Sequence, residues 1–179
     1  MRIIAGKHRG RKLLTPKDDK IRPTTDFTRE ALFNILADSV VGAEVLDLFG
    51  GTGALTLESL SRGAARATVC DMAAAAIDLI RRNADAMGEH PEIVQGDYAT
   101  VCRRLAGRQY DLVFLDPPYA MEVDSVLSAI AAADLLRAGG MVVYEHDVSR
   151  PYTPRAGWRE TDARRYGRVA LTFLTKEEL

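Results

Sequence analysis

With 179 residues, 47% of them hydrophobic and 27% charged, the chain is long enough for one globular domain with a full core. No apolar run approaches the roughly 18 residues of a membrane span, and the charged, glycine-broken start MRIIAGKHRG does not read as a signal-peptide core, so the expected compartment is the cytoplasm. Cys70 and Cys102 lack a CxxC partner and His8, His90 and His146 are isolated, which excludes a disulfide framework or zinc knuckle and leaves no metal site expected.

The net charge of −1 hides an asymmetry. Residues 1–22 carry eight basic side chains (Arg2, Lys7, Arg9, Arg11, Lys12, Lys17, Lys20 and Arg22) against Asp18 and Asp19, a net of +6 that leaves −7 for the rest. A basic arm on an acidic body suits contact with a phosphate backbone, although charge alone equally describes a solvated tail. Glycines at 6 and 10 and the strand-like RIIAG favour a short β-hairpin, so residues 1–22 are expected to form a basic N-terminal extension and 23–179 the main domain.

Next, TTDFTREALFNILADSV places Phe27, Ala31, Ile35 and Leu36 on one helical face, with Thr24, Thr25 or Asp26 as cap. From residue 43 short apolar runs alternate with helical stretches: AEVLDLF, ALTLESLSRG, ATVCD, AAAAIDLIRRNADAM, EIVQGD, TVCRRLAG, YDLVFLD, VDSVLSAIAAADLL and GMVVYEH. Five strands alternating with four helices predict an α/β fold with a parallel sheet covered on both faces. The nearly all-apolar strands agree with double cover. The tail WRETDARRYGRVALTFLTKE then reads as an antiparallel hairpin with Gly167 in its turn.

In such a sheet, ligands bind beyond the carboxyl ends of the strands, and an acid stands at four successive ends. The first strand runs into LDLFGGTGAL, where Asp47 precedes Gly50, Gly51 and Gly53, residues that allow a tight turn and close approach of a ligand to a helix N-terminus. Asp71 ends the second strand, 24 residues after Asp47, where an acid can bind ribose hydroxyls; alone it also reads as a helix cap before Ala73. Asp97 and Tyr98 end the third and could meet an adenine amino group, or be plain turn formers. Asp116 ends the fourth.

Together these acids imply a ribose-and-purine cofactor across the top of the sheet. The frame from Gly51 through Gly53 reaches Thr56 where a dehydrogenase wants glycine or alanine, and no phosphate loop ending in Lys-Ser/Thr occurs. A cofactor without pyrophosphate, such as S-adenosylmethionine, needs less of such a loop, and its cationic groups suit the acidic body and Asp47. After the fourth strand, VFLDPPYAME turns out of the sheet through two prolines that cannot donate backbone hydrogen bonds. That stiff elbow offers the Asp116 carboxylate, the Pro117 carbonyl and the Tyr119 ring to a planar ligand bearing an amino group.

The order Asp47-Leu-Phe-Gly-Gly-Thr-Gly-Ala, Asp71, Asp97-Tyr98 and Asp116-Pro-Pro-Tyr119 resembles class I S-adenosylmethionine-dependent methyltransferases that modify exocyclic amino groups. More narrowly, MRIIAGKHRGRKL, RPTTDFTREALFNIL and the YEH at 144–146 resemble the bacterial family that methylates N2 of guanine 966 in 16S ribosomal RNA. The resemblance implies a Rossmann-like, mostly parallel seven-stranded sheet with a C-terminal antiparallel hairpin. It implies a cofactor site at Asp47, Phe49, Gly50, Gly51, Gly53, Ala54, Asp71, Met72, Asp97 and Tyr98. Asp116, Pro117 and Tyr119 are the expected catalytic set; Lys7, Arg9, Arg11, Lys12, Arg22, Thr24 and Arg29 are expected to face the RNA of a small ribosomal subunit or assembly intermediate. A monomer is expected. The elbow itself would serve an adenine or a protein glutamine equally well, and a non-catalytic RNA-binding assembly factor is a further alternative.

Overall fold

The five apolar runs do become parallel strands, because each carries side chains that both faces of the sheet can bury. The structure is a computed structural model that describes residues 1–17 and 25–178; Arg22 and Thr24, expected to face RNA, lie outside the described residues. In chain order the elements are α1 (Asp26–Leu36), β1 (Glu44–Asp47), α2 (Ala54–Ser61), β2 (Arg66–Asp71), α3 (Ala74–Met87), β3 (Glu92–Gln95) and α4 (Tyr98–Arg104). They continue with β4 (Tyr110–Leu115), α5 (Val123–Ala132), β5 (Leu136–Asp147), β6 (Trp158–Tyr166) and β7 (Val169–Lys176). One seven-stranded sheet results, ordered β3-β2-β1-β4-β5-β7-β6, parallel except that β7 runs antiparallel to both neighbours. Its chain steps outward from β1 to β3 and then returns to β4. The switch therefore lies between β1 and β4, whose carboxyl ends carry Asp47 and lead to Asp116.

Helices cover both faces. One core joins α4 and α5 (Val101, Val126, Ile130) to Leu46, Val113 and Val142, while the other joins α1 and α2 (Leu32, Phe33, Leu57) to Val45, Phe114 and Phe173. Ile3 and Leu13 of the arm, at 0% and 6% exposure, belong to that second core. The arm folds back through an Arg2–Lys12 antiparallel bridge, with Ile3 N–H donating to the Arg11 carbonyl at 2.9 Å and Leu13 N–H to the Met1 carbonyl at 3.1 Å. At the other end of the chain, β6 and β7 pair from Tyr166–Val169 outward, and Gly167 takes the positive φ of 62° that their two-residue turn requires.

Two local expectations need correction. In α1 the buried residues are Thr28, Arg29, Leu32, Phe33 and Leu36, whereas Phe27 is 69% exposed and meets the edge of Tyr166, ring centres 6.1 Å apart. Both faces have helical period; the buried one was overlooked because it includes Arg29, whose charge is neutralised inside. Thr25 is the cap, its hydroxyl accepting from Thr28 N–H at 3.1 Å. The second correction is α5, which stops at Ala132 instead of running to Leu136. Asp134 takes φ 52°, and Leu136 already pairs with Tyr110.

Candidate active site at the strand ends

Asp47 is 1% exposed beneath the turn that follows β1. Its Oδ2 accepts from the Thr56 hydroxyl at 3.0 Å, while Oδ1 is buried without a hydrogen bond of normal geometry. Burial lifts the carboxyl to about 7; the Thr56 hydroxyl and the Phe49 N–H pull it down, and the charges of Asp71 and Glu145 push it further up. A buried carboxylate with one orphan oxygen is stabilised by a cation or donor brought from outside. Thr56, which weakened the dehydrogenase pattern, thus fixes the orientation of the acid; nothing in its spacing alone predicted that contact.

The glycine turn is shaped by contacts no larger residue would permit. A Cβ on Gly50 would stand 2.4 Å from Val69 Cγ2, and Gly51 and Gly53 hold φ of 58° and 82°. Gly53 is the N-cap of α2, followed by buried Ala54. Asp71 staples the turn to the end of β2: its Oδ2 accepts from Gly51 N–H and its Oδ1 from Ala73 N–H, each at 2.9 Å. The two readings of Asp71 therefore coexist, since the cap-like bond to Ala73 leaves lone pairs for a diol. Met72 beside it is 70% exposed.

Asp97 caps α4, accepting from Thr100 N–H at 2.9 Å and the Thr100 hydroxyl at 2.8 Å, and these bonds hold its carboxyl below the usual range. Tyr98 joins the neighbourhood through Phe49, ring centres 6.3 Å apart. Asp47, the glycine turn, Asp71 and the Phe49–Tyr98 pair thus follow one rim of the sheet.

The elbow begins one residue past β4. Asp116 presents surface to solvent, yet crowding at the strand end, and next the charges of Glu145 and Asp47, raise its carboxyl well above the usual range. Its solvent-facing side tempers the desolvation, and the like charges remain. Tyr119 is 63% exposed and its hydroxyl donates to Asp147 Oδ2 at 3.2 Å. Asp147 also accepts from Ser149 N–H at 2.8 Å and the Ser149 hydroxyl at 2.6 Å, and those bonds bring it down to about 2. Beyond the elbow opens a cleft of about 220 Å³ walled by Tyr144, His146, Arg150, Tyr152 and Arg168. Tyr144 and His146 stack at 4.5 Å and 20°. Sequence reasoning put the Tyr-Glu-His run at the end of the fifth strand and used it for the resemblance without giving it a role in the site, and missed both arginines.

The basic arm sits differently from a tail lying beside the elbow. Lys7 pairs with Glu89 at 2.6 Å, Arg11 donates to the Ala86 carbonyl at 2.9 Å, and Lys7 N–H donates to the Ser61 carbonyl at 2.9 Å. Those partners lie at or just past the far ends of α2 and α3; the 8 residues of α2 alone put about 12 Å of helix rise between Ser61 and the glycine turn. Arg9 and Lys12 are exposed there. Arg29, expected to face RNA, is 0% exposed: its guanidinium donates to the Arg2 carbonyl and to Asp26 at 3.0 Å and lies 3.5 Å from buried Glu58. It is a structural cation, because a charge enclosed among Glu58, Asp26 and the arm cannot reach a phosphate. Among the described residues no cluster of His, Cys, Asp and Glu could hold a metal ion, and no helix is long and apolar enough to cross a membrane.

An open sheet with β7 antiparallel to its neighbours, a glycine turn under a buried acid and an Asp-Pro-Pro-Tyr elbow at the switch point together define a class I methyltransferase, a class that implies S-adenosylmethionine as methyl donor. The chain belongs to the family described as conserved hypothetical protein 95, whose model matches residues 1–175. It is 35% identical to ribosomal RNA small subunit methyltransferase D of Escherichia coli strain K12, over 99% of this chain and 90% of that one. It is 29% identical to a protein of the same name from Haemophilus influenzae, over 88% and 84%. Among solved structures, an Escherichia coli candidate methyltransferase, yhhF, superposes with a TM-score of 0.86 at 33% identity, over 99% of this chain and 98% of that one. The residues present suit the cofactor: the buried Oδ1 of Asp47, without a hydrogen bond of normal geometry, would be satisfied by a donor or cation.

Proposed function

We propose that this protein transfers the methyl group of S-adenosylmethionine to the exocyclic N2 of guanine 966 in 16S ribosomal RNA, acting on a small subunit or its assembly intermediate. The observation that carries this reading is adjacency: Asp47 pairs in register with Phe114, two residues before Asp116, so the acid of the glycine turn and the elbow stand side by side. The likeness to ribosomal RNA small subunit methyltransferase D supports the choice of RNA.

When bound, the cofactor supplies an electrophilic methyl on a sulfonium. Asp47 would face its positive charge, Asp71 would hold the ribose hydroxyls, and Phe49, Asp97 and Tyr98 would line the purine. At the elbow, Asp116 and the Pro117 carbonyl accept the two N–H bonds of the exocyclic nitrogen and aim its conjugated lone pair along the transfer line. As the carbon–nitrogen bond forms, the carbon–sulfur bond breaks with its electrons left on sulfur; the positive charge developing on the nitrogen is met by a carboxylate until one N–H proton is lost to solvent. Tyr119 offers its exposed ring to the base once it is unstacked, and its bond to Asp147 holds the phenol end.

The test is transfer of labelled methyl from S-adenosylmethionine to small subunits, and separately to naked 16S RNA, from cells lacking the enzyme, followed by digestion to nucleosides. Label in N2-methylguanosine is expected. Label in methyladenosine would overturn the base assignment, and no label in RNA from either preparation would overturn the reading.

A further inference from the structure

The cleft at the elbow has a cationic wall that the chemistry above does not use. Arg150 and Arg168 line it together with Asp116 and Tyr119, both are exposed, and among the described residues neither makes an ion pair. Other arginines of this region are occupied: Arg155 lies 2.5 Å from Asp124 and Arg164 3.0 Å from Asp162. Residues 150–168 hold six arginines against Glu160 and Asp162, a net of +4 in a chain of −1. This second basic segment sits at the elbow, whereas the tip of the arm lies at the far end of α2.

The two guanidiniums stand on a pinned base. Val148 N–H donates to the Arg168 carbonyl at 2.9 Å, tying the β6–β7 turn to the loop after β5, and Arg150 N–H donates to the Asp147 carbonyl at 3.0 Å. His146 Nδ1 lies 3.1 Å and 2.9 Å from the carbonyls of Asp147 and Arg150, so that nitrogen carries a proton and donates. Its Nε2 lies 2.8 Å from the hydroxyl of Thr172, a buried residue, which completes the anchoring. Four acids share the cleft with them, Asp116, Glu122, Glu145 and Asp147; Asp147 is bonded to Tyr119 and Ser149 and also feels the charge of Arg168.

A nucleotide whose base enters this cleft brings its two flanking phosphates to the rim. We infer that Arg150 and Arg168 grip the phosphodiesters on either side of the methylated nucleotide, so that the RNA strand is held at the elbow by the loop after β5 and the β6–β7 turn. This rests on the RNA reading above, and separates from it in experiment.

The full chain carrying Arg150→Ala and Arg168→Ala is compared with the unaltered protein for 16S RNA binding across a salt series, methyl transfer and S-adenosylmethionine affinity. Loss of two phosphate contacts is expected to flatten the slope of log K against log salt by about 1.4 for a single strand. The KM for RNA should rise while kcat and cofactor affinity stay within a few-fold. Arg164→Ala, removing a paired arginine of the same hairpin, should leave the slope unchanged. A double variant with unaltered slope and KM would overturn the clamp while leaving methyl transfer intact. An equal loss in Arg164→Ala would also overturn it, by showing diffuse charge. Flattening of the slope in a protein that methylates no RNA would reject the methyl-transfer reading and leave the two arginines as RNA phosphate contacts only.

Discussion

Glu58→Ala tests how the arm is held. The Glu58 side chain is fully buried on α2 and its carboxylate accepts from Ile4 N–H at 2.9 Å, Ala5 N–H at 3.1 Å and Arg62 Nε at 2.8 Å. Arg29 Nε is 3.5 Å away, an electrostatic neighbour outside hydrogen-bond geometry, and Arg29 is as buried as Glu58. Removing one partner of a buried pair costs about 3–5 kcal/mol, because the other charge stays enclosed. Peeling the arm away would let water reach Arg29, but it would also expose Ile3 and Leu13, each worth about 1.5–3 kcal/mol of burial. The two routes cost similar amounts, so relaxation offers no cheap escape. At about 2–4 °C per kcal/mol for a chain of this size, the melting temperature should fall by roughly 6–20 °C. Urea unfolding followed by circular dichroism gives the free energy directly. Arg29→Met/Glu58→Met should recover part of the loss, since an apolar pair leaves no naked charge. A loss below about 1 kcal/mol for Glu58→Ala would refute the argument that this cluster anchors the arm.

Asp47→Asn should weaken S-adenosylmethionine binding at least tenfold in calorimetry, yet stabilise the ligand-free protein at pH 8. The folded carboxyl titrates near 7 against an ordinary 3.8, so between those values the unfolded chain binds fewer protons and stability falls as pH rises, by an amount on the order of 4 kcal/mol when fully ionised. The variant should lose that slope in pH-dependent melting. Gly50→Ala should cost about 1–3 kcal/mol by overpacking against Val69 and displace the turn, read as joint loss of stability and cofactor affinity. Asp116→Asn should abolish turnover with cofactor affinity within a few-fold; near-normal turnover would refute the elbow mechanism. Tyr119→Phe should keep most activity, while Tyr119→Ala raises the KM for RNA by about 1–3 kcal/mol of lost stacking.

The sheet was legible because its information is local: apolar runs, glycine turns and strand-ending acids recur along the chain in the order that the fold uses them. Asp47, Asp71 and Asp116 could be placed at strand ends from spacing alone. What spacing could not supply was partnership across the chain. Thr56 reaching Asp47, Asp71 bonding Gly51, and Asp147 holding Tyr119 join residues 9, 20 and 28 apart. Likewise the buried face of α1 was misread because Arg29 looks like a surface residue until Glu58, 29 positions later, is folded against it.

Glu58 and Asp47 show how structure divides acids that sequence makes alike. Both are buried carboxylates, one on α2 and one at the end of β1. Glu58 is supplied by two backbone N–H groups and two arginines, so its charge is complete without any ligand. Asp47 has Thr56 on one oxygen and no hydrogen bond on the other, with Asp71, Glu145 and Asp116 adding repulsion around it. An unfilled need of that kind is costly in the free protein and is relieved when a cation enters. The acid that stabilises the fold is the satisfied one; under the proposed function, the acid that the fold leaves wanting is the one that would face the methyl donor.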